Sequence, residues 1–214
     1  MSVVDNLKDI LKDIPQNVCL VAVSKTKPNS VIADAYEAGQ RVFGENKVQE
    51  LTDKNNSLPS DIQWHMIGHL QSNKVKFIAP FVSLIHAVDS MKLLKTIHKE
   101  AVKNKREIDC LIQVHIAQEE NKFGFYKEEV ADILEKQSDY ENVNVVGLMG
   151  MATFSNDSKL IRSEFKNLNS LFSNLQTKFP QLKTLSMGMS GDYKIAIEEG
   201  SNMIRIGSSI FGAR

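Results

Sequence analysis

Residues 185–212 read LSMGMSGDYKIAIEEGSNMIRIGSSIFG. Two short apolar runs, Thr184–Met187 and Met203–Ile206, each lead into a turn built of glycine and serine. The first turn, Met187-Gly188-Met189-Ser190-Gly191-Asp192, opens into a helical pattern over Asp192–Glu199. The second, Gly207-Ser208-Ser209, opens into Ile210-Phe211-Gly212. A strand, a helix and a second strand in this order require a crossover connection, and crossovers of this kind join parallel strands.

The same rhythm extends back to the beginning of the chain. Strand-like runs at Val18–Val23, Arg41–Phe43, Gln63–Ile67, Leu84–Ala87, Asp109–His115 and Asn144–Met149 alternate with amphipathic stretches. Those stretches include Ser30–Ala38, Lys47–Asp53, Ser90–Asn104, Lys127–Glu135 and Ser158–Lys178, and an opening helix at Val3–Lys12 precedes them all. Eight strands in strict alternation with helices predict a closed (β/α)₈ TIM-like barrel with short loops. An open, doubly wound sheet has the same periodicity and stays as the alternative. No proline- or serine-rich linker and no internal repeat divides the chain, so a single domain over residues 1–214 is expected.

Hydrophobic residues make up 42% and charged residues 24%, as in ordinary globular proteins. Twenty-six basic residues balance 26 acidic ones, so no global field favours nucleic acid or anionic lipid. No apolar run approaches the roughly 20 residues of a membrane span. The N-terminus alternates apolar and charged residues and lacks the basic and apolar regions of a signal peptide. Cys19 and Cys110 sit in apolar stretches as expected free thiols, too few for a disulfide framework. A cytoplasmic protein without membrane or nucleic-acid partners is expected, and the two sequons at Asn55 and Asn156 are then chance matches.

Sites on parallel α/β folds gather at the carboxyl ends of strands. Lys25 lies there on the first strand, in VAVSKTKP. The two-residue period puts Val21, Val23, Lys25 and Lys27 on one face, but Lys27 precedes Pro28, where the chain turns outward. A strand-end lysine partly withdrawn from water attacks aldehydes as the free amine, whereas a snorkelling surface lysine does nothing of the kind. The turns after the last two strands add a second signal. Glycine admits close approach of a ligand, amides at a helix start donate hydrogen bonds, and Ser190 and Ser208 add hydroxyls. Together they form a candidate phosphate cup, although each alone is also an ordinary helix cap. Arg205 interrupts the apolar strand Met203–Ile206. It faces either outward to an acidic helix residue or inward to a ligand acceptor. His65 and His69 stand four apart, but no HExxH glutamate accompanies them and Gly68 breaks the helix they would need, so no metal site is expected. Met149, Met151, Met187 and Met189 are packing residues that could equally line a pocket.

Taken in order, VAVSKTKP, FGENKVQE, WHMIGHLQSNK, HAVDS, GLMGMA and LSMGMSGDY…GSNMIRIGSSIFGAR resemble the YggS/PROSC-type pyridoxal-phosphate homeostasis proteins over nearly the whole chain. The resemblance implies a barrel of PLP fold type III, similar to the N-terminal domain of alanine racemase. It implies that Lys25 carries pyridoxal 5′-phosphate (PLP) as a Schiff base and that Ser190, Gly207 and Ser208 hold the phosphate. Arg205 would then face the pyridine nitrogen, and Asn46 would lie beside the cofactor. Where the family frequently has threonine this chain has Ser208, which keeps the hydroxyl. The resemblance further implies a monomeric carrier that buffers PLP and supplies it to PLP-dependent apo-enzymes. A fold-type III enzyme such as an amino-acid racemase is the alternative. Racemisation needs a second base opposite the lysine, and none of Tyr36, Tyr126, Tyr140 and Tyr193 stands out as one.

Overall fold

The first strand, β1 (Cys19–Val23), has neighbours from opposite ends of the chain. Ala22 pairs with Phe43 of β2 (Val42–Glu45), and Leu20 pairs with Ile204 of β8 (Met203–Ile206), both in parallel register. Between them run β3 (Gln63–Met66), β4 (Leu84–Val88), β5 (Ile108–Gln113), β6 (Val143–Met149) and β7 (Thr184–Met189). Each strand pairs with the next, and β8 returns to β1, so the sheet is a closed eight-stranded barrel. The open-sheet alternative is thereby eliminated. The structure, a computed structural model, describes residues 2–119 and 123–212. The final Ala-Arg of the IFGAR motif lies outside the described residues.

The helices are α1 (Val3–Asp13), α2 (Asn29–Glu37), α3 (Val48–Ser57), α4 (Val75–Ile78), α5 (Met91–Lys103), α6 (Val130–Lys136), α7 (Ser158–Gln176), α8 (Tyr193–Glu198) and α9 (Ser208–Phe211). Their starts follow local chemistry. Ser2 and Asp5 form a reciprocal capping box on α1, and the Asp157 carboxylate accepts from the amides of Lys159 and Leu160 to start α7. On α7 the buried residues Ile161, Phe165, Leu168, Phe172 and Leu175 recur at three- and four-residue intervals and face the sheet. Each such side chain contributes about 1.5–3 kcal/mol of burial, enough to hold the helix against the barrel.

Strand alternation divides the core into two layers. Leu20, Ala22, Phe43, Trp64, Ile85 and Ile204 pack outward beneath the helices, while Val21, Leu84, Leu111, Met149 and Met203 fill the barrel interior. Several boundaries move from those expected. The second strand runs on through Gly44 and Glu45 because Glu45 is buried against a partner described below. The short α4 was not anticipated, since four residues carry too little periodicity to read; α9 begins at Ser208, where the glycine–serine turn marked a helix start. Among the described residues no helix is long and apolar enough to cross a membrane.

Candidate functional site

β1 ends at Val23, and the chain then makes a tight turn. The Lys27 amide donates to the Ser24 carbonyl at 3.0 Å, and Thr26 adopts φ +65°. A left-handed third residue is what a type II turn demands, and glycine or asparagine usually fills it. Lys25 and Lys27 therefore do not share a strand face, contrary to the two-residue period; both occupy the turn. Both nevertheless line one cavity of about 420 Å³ at the carboxyl ends of the strands.

From β7 and β8, Ser190, Gly191, Gly207 and Ser208 line the same cavity. The Gly207 amide donates to the Ser190 hydroxyl at 3.2 Å, tying the two turns together. Asp192 accepts from the Met189 amide at 2.6 Å and closes the first turn. Gly188 has φ +95°, and a Cβ there would lie 2.6 Å from that of Ala196, so a side chain would drive α8 off the turn. The amides of Ser208 and Ser209 open α9, where N–H groups have no intrahelical acceptor.

Arg205 points inward and also lines the cavity, although the residue is only 4% exposed. Its Nη1 donates to Ser186 Oγ at 2.6 Å and its Nη2 to the Gly150 carbonyl at 3.1 Å. Among the described residues no carboxylate forms an ion pair with it. Burial lowers its pKa to about 10, partly opposed by the nearby Asp192, and at neutral pH the group stays charged.

Behind Arg205 a polar chain crosses the barrel. Ser186 Oγ lies 3.2 Å from His86 Nδ1, and His86 Nε2 lies 3.0 Å from His65 Nδ1. Arginine can only donate, so Ser186 Oγ accepts from Arg205. Along the rest of the chain the donor and acceptor roles are set by the tautomers of His86 and His65. Burial pulls His65 down to about 4, and burial together with His65 and Arg205 holds His86 well below the ordinary imidazole range.

A second network lies on the outer side of β1 and β2. The Lys54 ammonium on α3 donates to Glu45 Oε1 at 2.8 Å, Glu50 Oε1 at 2.6 Å and the Ser24 carbonyl at 2.8 Å. Ser24 Oγ donates to Glu45 Oε1 at 2.6 Å, and the Thr26 amide donates to Glu50 Oε1 at 2.5 Å. Burial raises the Glu45 carboxyl above its usual range even though Lys54 and Ser24 pull it down. Sequence reading missed this network and the His86–His65 chain. The only available signal was that polar residues interrupt strand patterns at Glu45, His65, His86 and Ser186.

All six sequence-predicted residues, Lys25, Asn46, Ser190, Arg205, Gly207 and Ser208, line the one cavity. Asn46 is held there by a close backbone approach: a Cβ on Gly68 would sit 2.5 Å from the Asn46 carbonyl oxygen. His65 and His69 diverge, the first into the barrel and the second to the surface, where its Nδ1 meets Asp89 at 2.8 Å and its ring stacks on Phe123. Of the four methionines, Met151 and Met189 line the cavity, whereas Met149 and Met187 are core residues. Cys110 is buried, while Cys19 is only partly so.

The family model for the alanine racemase N-terminal domain matches residues 2–214. A pyridoxal phosphate homeostasis protein of Aquifex aeolicus is 41% identical over 197 residues, covering 91% of this chain and 86% of that protein. The chain belongs to the pyridoxal phosphate homeostasis protein family. Another member of this family, from Schizosaccharomyces pombe, is 38% identical over 223 residues, covering 100% of this chain and 94% of its own. Among solved structures, PipY of Synechococcus elongatus, determined with PLP bound, superposes with a TM-score of 0.90 at 34% identity, covering 99% of this chain and 100% of that one. An alanine racemase of Clostridium difficile has a TM-score of 0.82 at 12% identity over 100% of this chain and 56% of its own, a likeness of fold alone.

Proposed function

We propose that this chain binds PLP in the cavity at the carboxyl end of its barrel, holds it as a Schiff base on Lys25, and acts in intracellular PLP homeostasis. The observation that carries the reading is the convergence of Lys25, Asn46, Ser190, Arg205, Gly207 and Ser208 from four strand ends on one cavity. The lining suits this ligand group by group. Ser190, Gly207 and Ser208 offer hydroxyl and amide donors to a phosphate. Arg205 uses two of its five N–H groups on Ser186 and Gly150, which leaves donors for an acceptor in the cavity. Lys25, at the corner of its turn, supplies the amine. PLP itself supplies an aldehyde carbon, which condenses with that amine to a C=N bond with release of one water, reversibly.

A carrier role fits the rest of the lining. Arg205 keeps its protons, so a ring nitrogen accepting from it stays unprotonated, which weakens the ring as an electron sink. Among the described lining residues there is no tyrosine, histidine or carboxylate to act as a base opposite Lys25. We take the chain as one domain, a cytoplasmic monomer that passes PLP to PLP-dependent apo-enzymes. The sequence homology to proteins named for PLP homeostasis and the PipY structure with bound PLP support the reading. Its test is a visible spectrum after mixing with PLP, with Lys25→Ala as the control: a new band in the wild type and its loss in the variant are expected. Incubating the loaded protein with L-amino acids in D₂O should give no rapid Cα deuteration; fast exchange over many turnovers would defeat the carrier reading.

A further inference from the structure

We propose that Glu50 is a positioning residue for Lys25, holding Thr26 in the left-handed conformation that presents Lys25 to the cavity. The inference rests on the reading of Lys25 as the cofactor-holding amine. Thr26 is β-branched and sits at φ +65°, a conformation such residues rarely adopt without outside support. The support comes from the next βα unit. Glu50 Oε1 takes the Thr26 amide at 2.5 Å, and the Lys54 ammonium takes the Ser24 carbonyl at 2.8 Å. The two groups grip the backbone immediately after and immediately before Lys25. Glu50 is itself fixed by Lys54 at 2.6 Å, one helical turn further along α3, and Lys54 is anchored on the buried Glu45 at 2.8 Å.

Glu50 is absent from the lining of the Lys25 cavity and borders a separate open cleft with Thr26, Lys27 and Lys54. It acts on Lys25 through the Thr26 amide and not by touching a ligand. Its side chain is 23% exposed, so replacing it does not open the core. Without its acceptor the turn relaxes towards conformations favourable to threonine, and the Lys25 side chain then leaves the aim that β1 and α3 jointly impose.

The test uses the full chain and four variants: Glu50→Ala, Glu50→Gln, Thr26→Gly, and Glu50→Ala with Thr26→Gly. PLP affinity is read from the absorbance of the lysine adduct, and the exchange rate of the Thr26 amide is read by NMR before any PLP is added. Glu50→Ala is expected to weaken PLP binding about tenfold and to speed Thr26 exchange by a similar factor, and its melting temperature also falls because the buried Lys54 ammonium loses an acceptor. Glu50→Gln retains the acceptor and stays within about twofold of wild type on both measures. Thr26→Gly in the Glu50→Ala background recovers most of the affinity, because glycine adopts φ > 0 without support. A merely structural role would leave the affinity of the double variant as low as that of Glu50→Ala, since Thr26→Gly returns no acceptor to Lys54. If the wild type binds PLP and Glu50→Ala binds it equally well, or Glu50→Gln is as weak as Glu50→Ala, this inference is overturned alone. A wild type that forms no adduct overturns the cofactor reading and this inference with it.

Discussion

Replacing Lys54 with methionine removes a charge from inside the protein while nearly preserving its volume. The Lys54 and Glu45 side chains are 6% and 0% exposed, and the ammonium spends its three protons on Glu45, Glu50 and the Ser24 carbonyl. Two of those acceptors keep another donor in the variant: Ser24 keeps the Lys27 amide, and Glu50 keeps the Thr26 amide. The damage therefore concentrates on Glu45, which is left with only the Ser24 hydroxyl, its Oε2 already lacking a partner. Removing one member of a buried ion pair costs about 3–5 kcal/mol. For a chain of this size that corresponds to a fall in melting temperature of roughly 6–20 °C.

The pH dependence follows from the sign of the Glu45 shift. Its carboxyl already lies above the ordinary carboxylate range through burial, and losing Lys54 raises it further. A carboxyl whose folded pKa exceeds its unfolded one takes up a proton on folding. Its contribution is full below the unfolded value and is lost as pH rises through the folded value. Urea unfolding at pH 8 should show the whole loss, pH 5 should show a smaller one, and adding Glu45→Gln should restore stability at pH 8. A loss below about 1 kcal/mol, or one equal at both pH values and untouched by Glu45→Gln, would refute the reasoning.

Arg205→Met should weaken PLP binding about ten- to a hundredfold, the worth of a hydrogen bond from a charged donor, and an unchanged absorbance titration would contradict its assigned place. His65 is held near 4 in the fold, so its contribution to stability is full above the unfolded value of about 6.5 and is lost as pH falls from there towards 4. His65→Phe should flatten the stability–pH curve across that window, measured as urea midpoints; an unchanged slope would count against burial as the cause. Gly68→Ala places a Cβ 2.5 Å from the Asn46 carbonyl oxygen and should reduce PLP affinity through displacement of Asn46, with Lys25 still able to react slowly. Ser208→Thr should bind PLP as the wild type does, whereas Ser208→Ala should bind several-fold more weakly, both read by equilibrium dialysis.

The barrel was legible because eight apolar runs recur between amphipathic ones, and each run found its strand within a few residues. Closure was expected from the count of eight alternating strands and not from any local period: Leu20 opposite Ile204 joins residues 184 positions apart. The glycine–serine turns pointed to a candidate phosphate cup because their residue types are chosen by backbone chemistry that is local. Arg205 was visible as an anomaly, but its direction depended on Ser186 and Gly150, which approach it only in the fold. The strand period misplaced Lys25 and Lys27, since β1 stops at Val23 and a turn begins. Nothing in SKTKP marks Thr26 as left-handed, because a threonine there is sustained by Glu50 from another helix and not by its own preference.

Borohydride reduction of the PLP-treated protein, followed by digestion and mass spectrometry, tests the central claim most directly. One pyridoxyl group per chain, on Lys25, is the predicted result. Modification of Lys27 in its place, or scattered over the exposed lysines, would contradict the account.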